Sequence, residues 1–159
     1  MKKIFLFSFA LMLLTSCLIL LPAGSADISL SYSPNPSDDC YYDASRGWTW
    51  EVEVVIEENN GVAVTLGDYS SGGYCCISKF YSDGSLVYSD NYSASDVESW
   101  FGTLSIPAGG SITQTDANFR YGNYFEGYVE ETYYGIDENG NTVSCSNTLY
   151  LENPNKAKK

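Results

Sequence analysis

The sequence predicts an all-β protein, an antiparallel sandwich of about seven or eight short strands broken by one short helix. Three observations predict it. From Trp48 to Ile56 apolar and polar residues alternate, with Trp48, Trp50, Val52, Val54 and Ile56 on one side and Thr49, Glu51, Glu53 and Glu57 on the other, which is the period-2 pattern of a half-buried strand. Turn signals recur at short intervals along the chain, at Pro34-Asn35-Pro36, Asn59-Asn60-Gly61, Asp83-Gly84, Pro107 to Gly110 and Asp137 to Asn141. Only Ser93 to Phe101 carries helical spacing. Hairpins of unequal length favour a sandwich over a closed barrel.

The chain opens on an export signal. Lys2 and Lys3 precede an apolar run that Pro22 breaks, and Gly24-Ser25-Ala26 suits cleavage after Ala26, so residues 1–26 read as a signal peptide. A competing reading takes Leu14-Thr15-Ser16-Cys17 as a lipobox, with Cys17 lipidated and the protein tethered to a membrane. Against it, Cys17 is followed by Leu-Ile-Leu-Leu where a tether has a polar linker. Residues 27–152 are long enough for one domain with its own core, and residues 153–159 form a basic tail without core-forming side chains.

Ile28, Leu30 and Tyr32 alternate in the first strand, and the prolines that follow end it as an edge strand. After a polar loop, Trp48 to Ile56 is expected to turn at Asn59-Asn60-Gly61 and return through Val62, Val64 and Leu66 as a hairpin, with its indoles in the core. Tyr74 to Asp90 reads as two strands joined at Asp83-Gly84. Ser95 and Glu98 make a capping box for a helix that packs Val97, Trp100 and Phe101 and stops at Gly102. Leu104 and Ile106 start another strand, Ile112 follows a turn, and Tyr124 to Ile136 with Thr142 to Leu151 form the longest hairpin.

The segments ISLSYSPNP, Trp48-x-Trp50-x-Val52, LSIPAGGSI and GIDENGNTVSCSNTLYL resemble strands of bacterial immunoglobulin-like domains of secreted and cell-surface proteins. The resemblance implies an immunoglobulin-like sandwich used for extracellular binding or spacing, and no active site.

The formal charge of −12, with Arg46, Lys79 and Arg120 as the basic residues between leader and tail, disfavours nucleic acid and anionic membrane partners. Membrane association is expected only through a lipidated Cys17. Outside the leader the cysteines are Cys40, Cys75, Cys76 and Cys145, an even number in an exported chain, and disulfides are expected. Adjacent strand residues face opposite ways, so Cys75 and Cys76 are expected to take Cys40 and Cys145 in an order left open; a vicinal Cys75–Cys76 bridge is the alternative. With no histidine in the chain, no cofactor is expected and transition metals and Ser-His-Asp catalysis find no footing; calcium is the remaining candidate, at Asp137, Asn139 and Asn141, residues that a tight hairpin also selects. Glu126, Glu130 and Glu131 read as a solvated row and not as a glycosidase pair. Tyr124, Tyr128 and Tyr134 share a face and present flat apolar area with polar tips.

These readings converge on a non-enzymatic, exported protein, secreted or at the cell surface, that serves as a structural, adhesive or assembly subunit with protein or glycan partners, self-assembly among them. The alternative is a carbohydrate-binding module that works through the exposed tyrosines.

Overall fold

The computed structural model describes residues 24–45, 47–121 and 126–152. In chain order these form β1 (Ile28–Ser33), β2 (Cys40–Asp43), β3 (Gly47–Glu58), β4 (Val64–Leu66), β5 (Cys76–Ser82), β6 (Ser85–Tyr92), α1 (Ala94–Phe101), β7 (Ser105–Ile106), β8 (Ser111–Tyr121), β9 (Gly127–Asp137) and β10 (Thr142–Leu151). The leader, Cys17 and the tail from Asn153 lie outside the described residues.

Two antiparallel sheets face each other. In the first, β3 is central: β1 pairs with its C-terminal half, β2 with Gly47–Trp50, and β8 runs along its other side. In the second, β6, β5, β9 and β10 are adjacent in that order, and β4 takes over from β5 on the same side of β9 near Gly135, with β7 beyond it. The extra short strands, β2, β4 and β7, are continuations of layers that a seven-strand count already contains.

Burial follows the alternation read from the sequence. Trp50, Val52, Val54 and Ile56 are buried while Glu51, Glu53 and Glu57 are exposed. Opposite them stand Val129 and Tyr133 of β9 and Val143, Cys145, Leu149 and Leu151 of β10. The indole N–H of Trp50 donates to the Glu152 carbonyl at 3.0 Å, which satisfies the polar edge of a ring with no exposed surface. Trp48 and Trp100 are half-buried at the core's margin, each edge-on to a tyrosine, Tyr42 and Tyr92 respectively. A burial of this extent, at about 25 cal/mol per Å² of apolar area, is what holds two sheets together without a cross-link.

Two local expectations are corrected. The turn after β3 does not return the chain as a hairpin; β4 belongs to the opposite sheet. Glu58 is the cause. It occupies the inward side of β3 and is buried, and its carboxylate accepts from the N–H of Asn60 (2.8 Å), Gly61 (2.7 Å) and Val62 (3.1 Å), so the backbone curls around it and crosses over. The helix is capped by Ser93 and Asp96 instead of Ser95 and Glu98. Val97 and Phe101, one turn apart, are the residues the helix buries, and Gly102, at φ 72°, ends it in the left-handed region as expected.

Candidate functional site

The sequence-selected residues fall in separate places. All four cysteines are free thiols, so the expected disulfides are not formed in this structure. In register, Cys76 and Cys145 flank Tyr133 from opposite sides, two strand spacings or roughly 10 Å apart, beyond the roughly 7 Å Cα separation that a bridge tolerates. Cys40 sits in the other sheet opposite Trp50. Burial pushes the thiols of Cys75 and Cys145 up to about 12, which leaves them protonated and unreactive.

Asp137, Asn139 and Asn141 do converge, as a closed turn. Asp137 Oδ1 accepts from the backbone N–H of Asn139 (2.9 Å) and Asn141 (2.8 Å), and Oδ2 accepts from the Ala26 N–H (3.1 Å) and the Asn141 amide (2.9 Å). Burial pushes this carboxyl up, but the donors outweigh it and hold it at about 2. Its lone pairs are thus directed at N–H groups, and among the described residues no group of three or more potential metal-ligating Cys, Asp or Glu side chains stands together. Tyr124 lies outside the described residues. Tyr128 and Tyr134 are half-buried on the outer face of the second sheet, where Tyr128 stacks on Tyr81 with ring centres 4.8 Å apart and leans on Tyr150 at 6.0 Å.

A different group of residues forms the most unusual site. Glu131 is not on a solvated row: it has the parity of Val129 and Tyr133, points inward and is 4% exposed. Its Oε1 accepts from Ser78 Oγ at 2.6 Å and its Oε2 from Tyr32 OH at 3.1 Å, with Tyr133 OH at 3.5 Å. Burial raises the carboxyl above its usual range, and these hydroxyls only partly oppose it. Strand register lines up Asp90 of β6, Ser78 of β5, Glu131 of β9 and Asn147 of β10 as one row across the sheet. Asp90 in turn accepts from Tyr88 OH (2.6 Å) and Tyr92 OH (2.9 Å).

Facing this row, β8 carries an irregularity. Its register against β3 shifts between Val52 and Val54, so Gln114 pairs with Val54 and Ala117 with Val52. Such a bulge bends an edge strand and re-aims its side chains. Here it accompanies a cleft of about 400 Å³ between the sheets, floored by Glu131, Ser78 and Tyr133, walled by Phe80, Tyr92, Trp100 and Phe119, and rimmed by Asp90, Asp116, Gln114 and Arg120. The signal that would have found Glu131 is its parity against Glu130: two adjacent glutamates on a strand cannot both face water.

No family model and no curated protein matches the chain. Among solved structures it is similar to a Northeast Structural Genomics Consortium target, SoR45, at 11% identity with a TM-score of 0.52, over 82% of this chain and 88% of that one. The CARDB domain of the PF1109 protein from Pyrococcus furiosus, solved in complex with di-metal ions, matches at 13% identity and a TM-score of 0.35, over 80% of this chain and 90% of that one. The topology defines the class, an all-β sandwich of two antiparallel sheets, and the first of these likenesses shares that fold.

Proposed function

We propose that the chain is a non-enzymatic, exported structural or assembly subunit, secreted or at the cell surface, and that it associates with a second copy of itself through β6. One observation carries this reading. β6 pairs only with β5 among the described residues, and on it Leu86, Val87 and Tyr88 are 55%, 43% and 47% exposed in succession. Proteins commonly protect such edges with lysine, proline or brevity. The strand SLVYSDNY is eight residues long and contains neither lysine nor proline. Its one interruption, the shift that leaves Val87 without a partner opposite Phe80 and Tyr81, pushes a third apolar side chain outward.

The glycan alternative draws less support from the geometry, because Tyr128 presents a ring face to Tyr81 instead of to a sugar. Sedimentation velocity on the mature chain at rising concentration tests the reading. Association that strengthens with salt, as screening relieves the repulsion of two acidic chains, and that Val87→Lys abolishes, is the expected result. A chain that stays monomeric yet binds a glycan array, with loss of the signal in Tyr128→Ala, would replace it with the carbohydrate-binding reading.

A further inference from the structure

From the cleft between β5, β6, β8 and α1, we infer a binding site for a small aliphatic diamine, with one ammonium seated on Glu131 and the other on Asp90. Four observations lead there. The cleft, at about 400 Å³, lies within the roughly 300–1,000 Å³ of small-molecule sites. Its floor is a carboxylate whose three partners are all hydroxyls, Ser78, Tyr32 and Tyr133, a neutral set of donors that leaves the charge without a counter-ion among the described residues. Its walls are aromatic, with Tyr92 and Trp100 on one side and Phe119 on the other, which suits methylene groups and attracts cations over ring faces. Finally, Ser78 pairs in register with both Asp90 and Glu131, so the two acids stand two strand spacings apart, roughly 10 Å between Cα atoms.

That spacing selects the ligand's form. With side chains reaching inward, a linear chain of four or five methylenes between two ammonium groups spans from one carboxylate to the other, while a single ammonium satisfies one end. Ser78 lies between the acids and is small enough to leave the path open. A metal ion fits poorly, since the described residues hold no cluster of three or more ligating side chains. An anion is opposed by Asp90, Asp116 and Glu131 against Arg120 at the rim, and by a chain charge of −12.

Isothermal titration of the mature chain with 1,4-diaminobutane, beside n-butylammonium, is the test. The expected result is saturable binding of one diamine per chain, weakened at least tenfold in Glu131→Gln. In Asp90→Asn the diamine should fall to the affinity of n-butylammonium, whose own binding is unchanged by that substitution. Should Glu131→Gln not fold, the gap between diamine and monoamine in Asp90→Asn decides. The inference is overturned by no saturable binding to the wild type, by equal binding to the variants, or by several weak equivalents that salt removes uniformly, which is condensation on an acidic surface. Because Asp90 lies on β6, the titrations are run at concentrations where sedimentation shows every variant to be monomeric, so either idea can fail alone.

Discussion

Three buried groups show how single side chains set this molecule's stability and its response to pH. Trp50 has no exposed surface and closes one end of the core. Trp50→Ala should cost about 3 to 5 kcal/mol in denaturant unfolding, because the cavity cannot collapse between two sheets. Glu58 and Glu131 are both inward-facing carboxylates and respond oppositely to pH. At Glu58, burial pushes the carboxyl up, but the N–H groups of Gly109, Asn60, Gly61 and Val62 win and hold it at about 2, below its usual 4.5. Its stabilisation is therefore complete above pH 4.5 and lost as pH falls toward 2. Glu131 is raised above 4.5 by burial, so it opposes folding as pH climbs through its unfolded value. Thermal scans from pH 3 to 8 should show Glu58→Gln lowering the unfolding midpoint most at neutral pH. Glu131→Gln should change sign of effect in the favourable direction as pH rises.

At the scale of elements, what the sequence reveals depends on whether the deciding contact is local. The alternation in β1, β3, β9 and β10 is a local pattern, and the structure repeats it over most of their length, with Thr49 buried beside half-buried Trp48 and Glu131 turned inward as the exceptions. The Asp83-Gly84 hairpin is local too, with Ser82 and Ser85 paired across it. The crossover after β3 was not legible, because Asn59-Asn60-Gly61 serves a hairpin or a crossing equally well and the choice is made by Glu58. One of the four N–H groups in that grip is that of Gly109, 51 residues away. The cleft was illegible for the same reason: it needs β5, β6, β8 and β9 in register. The capping box failed more narrowly, since Ser93-x-x-Asp96 and Ser95-x-x-Glu98 both fit the motif and only the burial of Val97 and Phe101 separates them. Ser93→Ala should cost about 1 kcal/mol by removing the cap. Gly135 shows how tightly β4 lies on β9: a Cβ there would stand 2.9 Å from both the Thr65 carbonyl and a Val64 methyl. Gly135→Ala should cost about 1 to 3 kcal/mol through strand displacement, read from denaturant unfolding of the variant.

For the molecule as a whole, the thiols and the start of the fold bear on export. With Cys40, Cys75, Cys76 and Cys145 free, alkylation of the unreduced mature chain in denaturant should label four cysteines. In the native state half-buried Cys40 should react faster than the enclosed Cys75, Cys76 and Cys145, and slowly for a thiol, since burial and then Asp39 and Asp38 raise it too. A drop to two or fewer labelled in denaturant would show that pairing occurs after rearrangement. Residues 24–26, assigned to the leader by their composition, are held by the fold: Asn139 donates to the Gly24 carbonyl and Asn60 to the Ser25 carbonyl, each at 3.1 Å, and Ala26 is buried with its N–H on Asp137. If the chain is exported as proposed, intact mass of the processed protein should place the cut before Gly24, and a mass beginning at Asp27 would show these contacts to be dispensable.

Glu58 has one further consequence. Its carboxylate holds Asn60 to Val62, where the chain passes from the first sheet to the second, and Gly109, where the chain passes back. Both crossings at this end of the sandwich are therefore latched by one group. Amide protons of Asn60, Gly61, Val62 and Gly109 should exchange with deuterium at a common rate, as a single opening unit separated by 49 residues of sequence between Asn60 and Gly109. In Glu58→Gln that shared rate should split into two, one for each crossing.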